Sequence, residues 1–163
     1  NPNIEGGYLG IPYSVLLVML LALVYSFIST NTTLGRHLYA IGGNPDAAKL
    51  SCINVQKRTL TLFMMMGVMT AIAGIVYTSR LNAATTSAGT NAELDAIASA
   101  VIGGTSLMGG EGTIIGAIIG ALVMASLDNG MSLMNMDITI QYITKGLMLL
   151  LAVFIDISTR KKS

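Results

Sequence analysis

The side chains able to do chemistry are few and scattered along the sequence. His37 is the single histidine and stands beside Arg36, which reads as an interfacial polar pair rather than a base or a ligand. Cys52 is the single cysteine, which excludes an internal disulfide and a cysteine metal cluster. The sequence contains no HExxH pair, no GxSxG elbow and no GxxxxGK[ST] phosphate loop. Gly110, Gly112 and Gly116 approach GxGxxG spacing but carry one residue too many before the last glycine, and no strand pattern precedes them. A dinucleotide site is therefore rejected. Met64, Met65, Met66 and Met69 are soft donors by type, but consecutive residues point in different directions around a helix. Flexible apolar packing is the better reading of them. Two charges remain in unusual places. Lys145 lies inside an uncharged run, where it could contact a substrate, hydrogen-bond Gln141 one turn earlier, or pair with an acid of another helix. Glu111 lies in a Gly-Gly-Glu-Gly-Thr connection, as a solvated turn residue or as a gating or partner contact. No catalytic residue and no metal-ligand set emerges.

One polar stretch is better organised. Gly35–Arg58 is basic, with Arg36, Lys49, Lys57 and Arg58 opposed by Asp46 alone. Within it, Asn44 is a good N-cap, Pro45 suits a first helical position, and Asp46 suits the positive end of the helix dipole. Ala47, Ala48, Lys49 and Leu50 are strong helix formers. Gly42 and Gly43 are expected to turn the chain sharply into the cap. The spacing predicts a short helix over Pro45–Ser51. Its exposed face is small and mixed, unlike the broad apolar face of a lipid-bound helix. A short capped helix of this kind suits a groove on another protein.

The elements that position these residues follow from composition. The 163-residue chain is 53% hydrophobic and 10% charged, with a mean hydropathy of +0.70. Soluble domains are nearer a quarter charged, so this is the composition of an all-α polytopic membrane protein in contact with the lipid bilayer. A net charge of +1 argues against a nucleic-acid partner. The chain opens on Asn1 and shows no signal-peptide pattern, and it is expected to be a piece of a longer protein. Asn1–Gly10 is polar and turn-rich. Ile11–Ser29 runs nineteen residues without a charge, with Tyr8 and Tyr13 where interfacial aromatics collect. Thr59–Ser79 is a second run of twenty-one uncharged residues between Arg58 and Arg80. Ala96–Gly110 is uncharged but short, and Gly103-Gly104 and Gly109-Gly110 interrupt it. It reads as a broken membrane helix, of the kind that lines transport sites. In the next run, Thr113–Leu127, glycines 112, 116 and 120 form a small-xxx-small pattern for close helix approach. An acidic loop is expected over Asp128–Asp137, and the last crossing over Ile138–Ile157.

Orientation follows from the basic residues. The polar loop 30–58 and the tail Arg160, Lys161 and Lys162 are expected on the cytoplasmic side. An odd number of crossings must then follow Thr59–Ser79, which gives five in all. A merely re-entrant Ala96–Gly110 would leave the tail outside. The whole is read as one transmembrane domain.

Three stretches carry a family resemblance: GRHLYAIGGNPDAAKLSCINV, ELDAIASAVIGGTSLMGGEGTIIGAIIGALVMASLDNGMSL and QYITKGLMLLLAVFID, the last followed by a basic tail. In this order they resemble the permease subunits of bacterial ATP-binding-cassette importers of ribose, xylose and galactose. MASLDNGMSLMNMD and the tail are most similar to the xylose-transporting members. The resemblance implies the C-terminal part of a longer permease in the bacterial cytoplasmic membrane. It implies a homodimeric pair of permease subunits, a cytosolic ATP-binding cassette ATPase and an extracytoplasmic sugar-binding protein. ATP and magnesium would be held by the ATPase, with no cofactor in this chain. The coupling segment of the family falls on Gly42, Gly43, Asn44, Pro45, Asp46, Ala47, Ala48 and Lys49. Candidates for the wall of the sugar pathway are Gly103, Gly104, Thr105, Ser106, Asn129 and Lys145. The sequence departs from the family at Cys52, where glycine is usual, so the exit of the short helix is expected to cost more. Another sugar, or a membrane module that recruits a partner other than an ATPase, are the competing readings.

Overall fold

The computed structural model describes residues 12–81 and 89–160. The polar opening 1–10, Ile11, residues 82–88 and the tail lysines Lys161 and Lys162 lie outside the described residues. The described chain is helical, without strands: α1 Tyr13–Asn31, α2 Thr33–Gly43, α3 Pro45–Leu50, α4 Val55–Leu81, α5 Ala92–Ile102, α6 Ile114–Leu133 and α7 Ile138–Arg160. Four helices, within α1, α4, α6 and α7, are long and apolar enough to cross a bilayer. The protein is an all-α polytopic membrane protein.

Several boundaries differ from the sequence reading. The loop 30–58 is mostly helix: α2 fills 33–43, where a loop was expected. Gly42 and Gly43 are the last two residues of that helix and are absent from the described positive-φ glycines. They do not turn the chain sharply. α6 continues past Leu127 through Asp128, Asn129 and Gly130 to Leu133, so the acidic loop begins later than expected. α4 has 27 residues, about 40 Å at ~1.5 Å per residue, which exceeds a ~30 Å hydrocarbon core and leaves Lys57 and Arg80 near its two ends. α5 has 11 residues, about 16 Å long, roughly half a crossing. The expected third crossing, 96–110, is thus a half-length helix followed by turns, beside four full-length helices where five crossings were expected.

The chain divides into two compact units, residues 1–38 with 46–88, and residues 39–45 with 89–163. In the first, Thr32 joins α1 to α2. Its hydroxyl donates to the Ile28 carbonyl at 2.6 Å and accepts from the Gly35 N–H at 3.3 Å, capping α2 while closing the last turn of α1. No described residue of α1 is buried, and Leu23 is 73% exposed. Such an apolar surface is suited to lipid or to other membrane helices.

In the second unit, α5 lies on α6 with glycine against glycine. A Cβ on Gly103 would strike the Gly116 carbonyl, one on Gly116 would strike the Gly103 carbonyl, and one on Gly120 the Ser99 carbonyl. The small-xxx-small face is therefore Gly116 and Gly120; Gly112 precedes the helix. Ala98, Val101, Met124 and Met131 are the buried apolar side chains of this pair. Thr113 is the N-cap of α6, its hydroxyl accepting from the Gly116 N–H at 3.0 Å.

Candidate functional site

The short helix α3 forms at the expected place and ends one residue earlier than expected, at Leu50. Pro45 holds the first position, Asp46 the first turn, and Lys49 reaches back to Asp46 at 3.0 Å. That pair is solvent-exposed, so it contributes at most about 1 kcal/mol. Gly43, Asn44, Pro45, Asp46, Ala47 and Lys49 are exposed and Gly42 is half-buried, whereas Ala48 is buried. Leu50 is 87% exposed. The sequence reading takes Leu50 only as a helix former.

The helix exit bears out the expectation at Cys52. The Ile53 N–H donates to the Ala48 carbonyl at 3.1 Å and the Cys52 N–H to the Lys49 carbonyl at 3.0 Å. These two bonds define a Schellman motif, with Cys52 in the left-handed position at φ 59°. Asn54 then starts α4 by accepting from the Lys57 N–H at 3.1 Å.

The broken segment is built by the same device. Gly104, at φ 84°, takes the left-handed position after α5, with Thr105 N–H donating to the Ala100 carbonyl at 2.9 Å. The loop from Thr105 to Thr113 then folds on itself, the Ser106 N–H donating to the Glu111 carbonyl at 3.0 Å. Ser106 is buried rather than presented on a wall. Its hydroxyl donates to Asp156 Oδ2 at 3.2 Å, and the Leu107 N–H donates to the same oxygen at 3.2 Å. Asp156 was not singled out in the sequence beyond its place near the end of α7.

Lys145 has two acid partners in the structure. Its ammonium donates to Asp95 Oδ2 of α5 at 2.9 Å and lies 3.0 Å from Asp128 Oδ2 of α6. The reading as a pair with an acid of another helix holds, twice over. Gln141 instead donates to the Met136 carbonyl at 3.0 Å. The remaining oxygens, Asp95 Oδ1 and Asp128 Oδ1, are shielded and find no partner among the described residues. One cation thus pins three helices with two anions, a charge-dense knot inside a membrane bundle. The candidate wall residues do not assemble into one site. Gly103 is packed on Gly116, Gly104 and Thr105 end α5, and Ser106 is bonded to Asp156. Asn129 is exposed on α6. Asp156 lies eleven residues along α7 from Lys145, about 16 Å away at ~1.5 Å per residue.

The fold and the knot define a polytopic membrane protein whose polar groups are organised around a broken helix and a capped surface helix. The chain belongs to the family described as branched-chain amino acid transport system / permease component, whose model matches residues 4–153. It is 58% identical over 155 residues to the xylose transport system permease protein XylH of Haemophilus influenzae, covering 95% of this chain and 41% of that protein. It is 55% identical over 156 residues to XylH of Escherichia coli strain K12, covering 96% and 40%. To the ribose import permease protein RbsC of the same strain it is 43% identical over 151 residues, covering 93% and 47%. The chain therefore spans less than half the length of these relatives. No solved structure matches it significantly.

Proposed function

We propose that this chain is part of the permease subunit of an ATP-driven importer that moves a monosaccharide, D-xylose, across the bacterial cytoplasmic membrane. The observation that carries the substrate is the higher identity to the xylose permeases, 55–58%, than to the ribose permeases, 43–44%. In this reading the chain does no covalent chemistry. A cytosolic ATPase engages the exposed residues of the segment Gly42–Lys49, which are Gly43 to Ala47 and Lys49, with Leu50 as its apolar anchor, and supplies the energy of ATP and magnesium. Movement of α3 tilts α1 and α4, a rigid-element transition between two states. An extracytoplasmic binding protein delivers the sugar, and a second copy of the permease completes the pathway beside the broken segment of α5. The coupling helix and the C-terminus face the cytoplasm, in line with the basic residues near them, with α5 and the turns after it counted as the fifth crossing.

The test is uptake by proteoliposomes holding the full-length permease, its ATPase and its binding protein. ATP-dependent accumulation of xylose, with ribose and galactose taken up far less, is the expected result. Preferential uptake of ribose would transfer the assignment to the second set of relatives, and no ATP-dependent uptake of any of the three would overturn it.

A further inference from the structure

Gly42 and Gly43 end a helix, and neither is needed for a turn. What needs Gly42 is the chain lying against it, whereas a Cβ on Gly43 would meet nothing within 4 Å. The Gly110 nitrogen sits 2.5 Å from the place of a Gly42 Cβ. The Gly42 oxygen sits 2.5 Å from that of a Gly109 Cβ, and a Cβ on Gly110 would meet the Gly43 Cα at 2.8 Å. At Gly42, Gly109 and Gly110 this is backbone laid on backbone, with no room for a side chain. Tyr39, one turn earlier on α2, extends the contact by donating its hydroxyl to the Gly112 carbonyl at 2.7 Å. The same loop is held at its other side by Asp156, through Ser106 and Leu107. It also follows directly from the end of α5 and leads directly into α6. All these residues lie in one compact unit.

Side chains can absorb a displacement by changing rotamer; a glycine-on-glycine contact has none to change, so movement of one backbone displaces the other. Gly43 is separated from Pro45, the first residue of α3, by Asn44 alone. We propose that the clasp of Gly42 and Gly43 on Gly109 and Gly110, secured by Tyr39, is a second coupling joint of the transporter. It carries displacement of α3 into the loop between α5 and α6, where Asp156 relays it to α7. Gly42, Tyr39 and the loop glycines are positioning residues for transport rather than contacts of the sugar or the ATPase. This inference rests on the reading of the chain as an ATP-driven permease.

The experiment compares variants of the full-length permease, reconstituted with its ATPase and binding protein, by sugar taken up per ATP hydrolysed. Gly42→Ala wedges a methyl group into the clasp at a helical position, where the new residue's own backbone is unstrained. Tyr39→Phe removes one hydrogen bond and adds no volume, so it decides the matter if Gly42→Ala fails to fold. Gly67→Ala, in α4 with nothing within 4 Å of the added carbon, is the matched control for a methyl on a helical glycine. Gly42→Ala and Tyr39→Phe should each lower uptake per ATP about fivefold or more while the ATPase still co-purifies; Gly67→Ala should match wild type. Wild-type coupling in both Gly42→Ala and Tyr39→Phe, or equal loss in Gly67→Ala, overturns the joint while the permease reading stands. A wild-type importer without ATP-driven uptake overturns that reading, and the joint with it.

Discussion

Replacing Lys145 with methionine should damage the protein far more than removing either of its partners. The knot carries one positive and two negative charges. Without the lysine, two carboxylates are left facing each other with nothing between them. With Asp95→Asn or Asp128→Asn, one neutral-sum pair survives. Each contact of 2.9–3.0 Å is worth about 5–6 kcal/mol gross at an effective dielectric of about 20, most of it offset by desolvation. Stripping a partner from a buried pair costs about 3–5 kcal/mol. The carboxylates here are 33% and 37% exposed and the lysine 19%, which favours the low end, about 3 kcal/mol. At about 2–4 °C per kcal/mol for 150–250 residues, and less for a longer chain, Lys145→Met should lower the Tm of the purified full-length permease by about 3–6 °C. Either single Asp→Asn change should cost less than half as much. The neutral triple variant, Lys145→Met with Asp95→Asn and Asp128→Asn, should recover most of the loss, since no charge is then left unpaired. A Lys145→Met variant as stable as Asp95→Asn would refute the knot. A lysine that touches sugar would instead show in the triple variant, as a raised KM for uptake at normal stability.

The other predictions concern the backbone devices. Cys52→Gly should stabilise the exit of α3 by about 0.5–1 kcal/mol, because relief of the left-handed strain exceeds the entropy that glycine adds; a small rise in Tm measures it. Gly120→Ala should cost about 1–3 kcal/mol by pressing a methyl group onto the Ser99 carbonyl, again read as Tm. Thr113→Ala should cost about 1 kcal/mol through loss of the α6 cap, and Thr113→Ser should restore it.

Local punctuation was the legible part of this fold. Asn44, Pro45 and Asp46 mark the start of α3, and the uncharged runs mark the long helices, because these signals act within a turn or along one segment. The glycine pair after α5 announced the broken helix for the same reason. The rest depends on contacts distant in sequence. Gly42 and Gly43 resembled a turn signal, but the need for glycine at 42 is set by Gly109 and Gly110, some 67 residues later. That misreading hid α2. Asp128 looked like the start of a loop because charge ended an apolar run. The helix absorbs it, since Lys145 neutralises it, and ends instead at Leu133, with Asn135 in the left-handed position beyond it at φ 51°. Lys145 was visibly out of place in the sequence, yet only packing chooses its partners among several acids. Ser106 is a candidate for the pathway wall by its place in the broken segment, and its hydroxyl is bonded to Asp156.

An ATPase that drives this permease is expected to act through α3. Co-purification of the ATPase with the full-length permease tests that directly, comparing wild type with Asn44→Ala/Asp46→Ala and with Leu50→Ala. Loss of the bound ATPase in both, with the permease still folded and in the membrane, is the predicted result. Undiminished ATPase binding to a permease carrying all three changes would contradict it.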